Sequence, residues 1–85
     1  MPTYRPLHEA IDAMIPLIPE TYDKRAELVG LLEGKKQESL DGIKTQKVLR
    51  KETEKILNTY LGPLQPVYPW VNDVAAEFYQ TVPAP

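Results

Sequence analysis

The stretch Glu20–Gly62, ETYDKRAELVGLLEGKKQESLDGIKTQKVLRKETEKILNTYLG, holds no proline, although the 85-residue chain contains nine. Proline removes a backbone donor and clashes with the preceding helical turn, so its distribution marks where long helices can run. Here that room lies in the middle of the chain, and prolines confine the flanking helices to short lengths. The pattern predicts an all-α fold, a small four-helix bundle built on a central antiparallel helical hairpin. No segment shows sustained two-residue alternation, so no sheet is expected. A chain of this length makes one domain, taken as residues 1–82, with Pro83-Ala84-Pro85 as a disordered tail.

Inside the stretch, the expected second helix starts between Pro19 and Thr21, with Thr21 as its cap. Tyr22, Leu28, Val29 and Leu32 form its apolar side, and Leu31 sits at the margin. Gly34 reads as a left-handed stop, because the polar run Lys35-Lys36-Gln37-Glu38-Ser39 follows it and Asp41-Gly42 is a turn dipeptide. A loop is therefore expected over residues 34–42, with Leu40 tucked beneath it. The third helix runs from about Ile43 to Leu61 and stops at Gly62-Pro63. The rival architecture is one helix from Thr21 to Leu61, about 60 Å long at 1.5 Å per residue, in a dimeric coiled coil. Gly34, Gly42 and the apolar-poor segment between them weigh against it.

Working outward, Leu7, Ala10, Ile11, Met14, Ile15 and Ile18 fall on one side of a first helix that opens at Pro6. Pro16 projects to the polar side, so the helix can bend there and persist to Ile18. On the other flank, Pro63, Pro66 and Pro69 recur every three residues, the period of polyproline II. That segment reads as a stiff connector laying Leu64, Val67 and Tyr68 across the bundle end. Pro69 then opens a fourth helix whose stripe is Val71, Val74, Ala75, Phe78 and Val82, flanked by Trp70 and Tyr79.

Composition narrows function by exclusion. Ten basic and twelve acidic side chains give a net charge of -2, which disfavours a dedicated nucleic-acid binder. There is no cysteine, hence no thiolate metal site and no cysteine nucleophile. His8 and Asp12 at i, i+4 offer two ligands, too few for a zinc site, so no metal and no cofactor are expected. The first residues lack an unbroken apolar core and no 18-residue apolar run exists, so a cytoplasmic protein with no membrane contact is expected. No glycine-rich phosphate loop or nucleophile motif occurs, and a non-enzyme is expected. Ile11-Asp12, Arg25-Ala26-Glu27-Leu28 and Lys35 loosely resemble the first helix of the all-helical chorismate mutases. That family's helix is unbroken, whereas Pro16 and Pro19 interrupt this one, so the activity is not carried over.

What remains is a small non-catalytic protein-binding module, of the inhibitor, immunity or antitoxin, adaptor or assembly-factor kind. Five of the seven aromatic residues lie in the last 26 positions. Trp70 and Tyr79, extended by Tyr68, are the expected partner-binding residues, since amphipathic rings serve as interface anchors. The partner is another protein, and a homodimer burying part of that surface would suit so small a core. The alternative is a nucleic-acid-binding accessory protein that uses a row of lysines, Lys44, Lys47, Lys51 and Lys55, on the third helix. Glu52 and Glu54 interrupt that row, which favours a solvated helix face.

Overall fold

The computed structural model describes residues 3–82 and is an all-α bundle of four helices packed on one another. Helix α1 spans Leu7–Met14, α2 Arg25–Asp41, α3 Gln46–Leu61 and α4 Pro69–Phe78. Thr3–Tyr4 (β1) pairs antiparallel with Thr81–Val82 (β2), so the two ends of the described chain meet. The expected tail at residues 83–85 lies outside the described residues.

The shortest helix is the hub. Leu7, Ala10, Ile11 and Met14 of α1 are wholly buried, and Ile18 just beyond is nearly so. Their spacing places them on one face, and α1 packs along both α2 and α4. Leu28 and Leu32 from α2, Leu49, Leu57 and Leu61 from α3, and Val71, Val74 and Phe78 from α4 complete one continuous core. The expected stripe of α1 is thus the buried one, with Ile15 only partly covered. On α4 the stripe ends at Phe78, and Val82 belongs to β2 instead.

Pro16 does more than bend α1. Residues Ile15–Leu17 tighten into a 3-10 turn with the proline in its first positions, and Ile18 then turns extended. Because the turn carries Ile18 back into the core, Leu17 is left facing outward. Turns bridge residues 19–24, so α2 opens at Arg25 and Thr21 caps nothing. Arg25 holds this corner by donating from Nε to the Ile18 carbonyl at 2.9 Å.

The sequence expectation of a loop at 34–42 is wrong. Helix α2 passes straight through Gly34 to Asp41, and Gly42 is the left-handed cap, with φ 69° and its N–H donating to the Glu38 carbonyl. A glycine inside a helix costs about 1 kcal/mol relative to alanine, and the polar run supplies compensating contacts. Lys35 bridges Glu38 and Glu52, Lys36 reaches Asp12 on α1, and Ser39 is buried. Leu40 falls on the outer face of this extended helix and is exposed rather than tucked in.

Four residues join α2 to α3, so the single helix over Thr21–Leu61 is not formed. Thr45 caps α3, its hydroxyl accepting from the Val48 N–H at 3.3 Å. Residues late in α2 meet residues early in α3: Lys35 meets Glu52, and Ser39 meets Gln46. Gln46 is also the cap that α1 lacks locally, its side-chain oxygen accepting from the Leu7 N–H at 2.9 Å.

The connector after α3 is not polyproline II. Gly62–Leu64 form a 3-10 turn, and the N–H groups of Val67 and Tyr68 both donate to the Leu64 carbonyl. Of the three prolines only Pro63 lies in that 3-10 turn, and the internal hydrogen bonds here are ones that polyproline II does not make.

One glycine inside α2, Gly34, and the glycine that caps it, Gly42, make a sign test of this reading. Gly34 has an ordinary helical φ and open space at its Cβ position, so Gly34→Ala should stabilise by roughly 0.5–1 kcal/mol. Gly42→Ala, forced into the left-handed region, should destabilise by about 1 kcal/mol. Urea unfolding midpoints that move in the same direction for both would show that the helix does not end where described.

Candidate functional site

Two concave surfaces carry most of the chemistry that the core does not absorb, and α4 contributes an aromatic residue to each. The first is a cleft of about 490 Å3 beside the α3–α4 connector. The second is a groove of about 770 Å3 between α3, the end of α4 and the β1 segment.

The cleft is walled by aromatic rings. Tyr22 lies 5.5 Å from Trp70, and Tyr68 stacks on Trp70 at 6.2 Å. Trp70 packs partly against the core, whereas Tyr68 and its neighbour Val67 are exposed. Two tyrosine hydroxyls fix the back wall: Tyr22 donates to the Tyr60 carbonyl, and Tyr60 donates to Glu27 at 2.8 Å. Burial raises the Tyr22 phenol above its ordinary pKa, and Glu27 and Asp23 add to the rise. The hydrogen bond to Glu27 raises that of Tyr60. Burial dominates the first shift and the hydrogen bond the second, with the Glu27 charge contributing to both.

The cleft lining holds one acid and one base, Asp23 and Lys24, whereas the groove is strongly cationic. Its lining carries four cations, Arg5, Lys47, Arg50 and Lys51, against one carboxylate, Glu54. Arg5 is tied down, Nη2 donating to both the carboxylate and the carbonyl of Glu77 at 2.6 and 2.9 Å. Arg50 is placed differently. Its guanidinium sits 3.9 Å from the centre of the Tyr4 ring and 4.4 Å from that of Phe78. Its Nη2 donates to the Phe78 carbonyl at 2.6 Å, while Nη1 is buried with no hydrogen-bond partner among the described residues. Burial lowers the Arg50 pKa from its ordinary value. Glu54 accepts instead from the Tyr79 hydroxyl, at 2.7 Å.

The structure divides the residues expected to act together. Tyr68 and Trp70 share the cleft, whereas Tyr79 lies beyond the far end of α4, over the groove and 6.5 Å from Tyr4. The lysine row divides as well. Lys44 precedes the α3 cap and is engaged by Glu38 and Glu52, while Lys47 and Lys51 line the groove. Lys55 is exposed and does not line it. Tyr4, Arg5 and Arg50 were not singled out from the sequence for this groove. Tyr4 and Arg5 stand about 45 residues before Arg50, and no local spacing announces their meeting.

Elsewhere, His8 Nδ1 lies 3.3 Å from the Ser39 hydroxyl, and Asp12 pairs with Lys36. No group of three metal-ligating side chains occurs among the described residues. Arg25 and Lys35, the cations behind the chorismate mutase resemblance, are engaged by the Ile18 carbonyl and by Glu38 and Glu52, and the helix is interrupted before Arg25. No helix among the described residues is long and apolar enough to cross a membrane. No protein-family model, curated protein or solved structure matches the chain.

Partial burial, followed by the Glu54 hydrogen bond, pushes the Tyr79 phenol up to about 12. The raised value means that Tyr79 stabilises the fold below its unfolded pKa of about 10. That contribution is lost as pH climbs through about 12. A difference titration of tyrosinate absorbance between wild type and Tyr79→Phe should therefore isolate a late-titrating tyrosine. Glu54→Gln should shift that step downward. A Tyr79 step at the ordinary position would show that the hydrogen bond is not made in solution.

Proposed function

We propose that this chain is a non-catalytic protein-binding module whose docking surface is the aromatic cleft at Tyr68 and Trp70. The observation that supports the reading most directly is the ring cluster itself. Tyr22 and Tyr68 each pack against Trp70, yet Tyr68 stays about half exposed, at 46%, and Val67 more so, at 62%. Rigid rings at a cleft mouth give large desolvated area at low entropy cost, the usual make-up of an interface anchor.

The chemistry of the cleft favours an extended, apolar segment of another protein with a basic flank. Such segments dock in aromatic-lined grooves, and a cation on the ligand meets an acidic group at the edge. Asp23 in the lining and Glu27 behind the Tyr60 hydroxyl supply that group here, with Lys24 beside them. Trp70 is part anchor and part core, so its truncation would blur the two roles. Tyr68 carries no such ambiguity.

Tyr79 adds no area to this surface, and the Trp70, Tyr68 and Tyr79 grouping is narrowed to the first two plus Tyr22. A homodimer through the same rings would satisfy the cleft with a second copy, and binding to a different protein would compete with it. Nucleic-acid binding through the lysine row is the weaker reading, because Lys44 is already neutralised by Glu38 and Glu52.

Tagged protein incubated with lysate of its source cell and eluted in rising salt tests the proposal. A stoichiometric protein should be retained by wild type and lost, by about ten-fold or more, from Tyr68→Ala. Far-ultraviolet circular dichroism should be unchanged, since Tyr68 lies outside the core. Emission of Trp70, the single tryptophan, should shift when the purified partner is added. Equal retention by wild type and variant would refute the cleft as the docking surface, as would recovery of nucleic acid alone.

A further inference from the structure

The groove at Arg50 is a binding site of its own kind, independent of the cleft. Four cations converge on it in a chain whose net charge is -2, and its single lining carboxylate is occupied by the Tyr79 hydroxyl. Lys47 and Lys51 are exposed, stand one helical turn apart on α3 and form no ion pair among the described residues.

Arg50 is the informative group. A desolvated cation is costly unless a counter-charge and hydrogen bonds satisfy it. Arg50 has one carbonyl acceptor, two ring faces and no carboxylate among the described residues, and its Nη1 is unpartnered. Nε of Arg5 is likewise buried without a partner. Arg5 is paired with Glu77, so the positive charge that the described residues leave without an ion pair at this spot is that of Arg50, Lys47 and Lys51.

The walls are aromatic as well as cationic. Tyr4 and Tyr79 are both about half exposed, at 51% and 45%. Their rings stand 6.5 Å apart at 60°, with Phe78 edge-on to Tyr79. A bare phosphate would use the lysines and leave these rings idle. An apolar peptide would use the rings and strand the cations. A ligand joining a phosphate to a flat ring uses both, and the volume of about 770 Å3 falls in the range of small-molecule sites.

We propose that this groove binds a small phosphate monoester bearing a planar ring, a mononucleotide or a molecule of that chemistry. Lys47 and Lys51 take the phosphate through charge-assisted hydrogen bonds, and the ring stacks against Tyr4 and Tyr79. Arg50, beneath Tyr4, strengthens that ring face and contributes long-range attraction without touching the phosphate.

Isothermal titration calorimetry at low ionic strength, with the full chain and AMP, CMP, adenosine and inorganic phosphate as probes, tests this. AMP and CMP should bind one per chain, and adenosine and phosphate should each bind at least about ten-fold more weakly. Lys47→Gln combined with Lys51→Gln should weaken AMP by about ten-fold or more with circular dichroism unchanged, because both side chains are solvated. Tyr79→Leu should weaken AMP but leave the feeble phosphate affinity alone. The proposal is overturned by the absence of AMP binding, by equal affinity for AMP and adenosine, or by full affinity in the double-lysine variant. Affinity that climbs steadily with oligonucleotide length would also overturn it, since that identifies a strand-tracking surface rather than a mononucleotide site.

Discussion

Burial of one face of α1 is the constraint from which the rest of the structure follows. Fully burying a large aliphatic side chain stabilises by roughly 1.5–3 kcal/mol, and Leu7, Ile11, Met14 and Ile18 are all essentially inaccessible. An eight-residue helix has little stability of its own, so α1 exists because α2 and α4 cover it. Its N-terminus is closed from a distance as well. Gln46, at the start of α3, accepts from the Leu7 N–H and donates to Ser39 of α2. One glutamine thus fixes three helices relative to one another.

The polar joints are built on the same economy. Glu52 accepts from Lys35 on α2 and Lys44 at the α3 entrance, and those two hydrogen bonds hold its carboxyl below the usual range. Burial works against charge on Lys35, but its bonds to Glu52 and Glu38 outweigh this and raise its pKa. The Glu52 contribution is therefore present above its unfolded pKa, near 4.3, and lost as pH falls through the lower folded value. That of Lys35 is present below about 10.4 and lost as pH rises past it. The joint is intact across the neutral range. At the other end, Arg5 clasps Glu77 and β1 meets β2, which brings Tyr4 over Arg50.

Helix α4 sets the functional layout. It opens with Pro69-Trp70 and ends at Phe78, with Tyr79 as its cap. Trp70 and Tyr79 are nine residues apart, about 13 Å along a helix axis, so they serve different concavities. The cleft beside Trp70 is walled by rings with Asp23 and Lys24 balancing each other, and the groove beside Tyr79 is lined mostly by cations. The two surfaces differ in charge balance, and they differ in the ligands they suit.

By itself the sequence determined the helical class, because proline-free length and apolar spacing are local properties. It located α3 to within a few residues through Gly62 and Pro63, and it identified the buried face of α1. It also placed Trp70 and Tyr79 on the flanks of the apolar stripe of α4, since such positions are visible along one helix, but it did not show that the two rings line different concavities. Only tertiary structure decided whether Gly34 or Gly42 ends α2, because a helical glycine is retained when distant partners such as Glu52 and Asp12 hold the turns beyond it. Tertiary structure likewise decided against polyproline II in the connector, where only Pro63 of the three prolines lies in a 3-10 turn. The Arg50 groove came from the fold alone. It joins Tyr4 and Arg5 to residues 46–54 and 78–79, and contacts at such separations depend on how the helices pack.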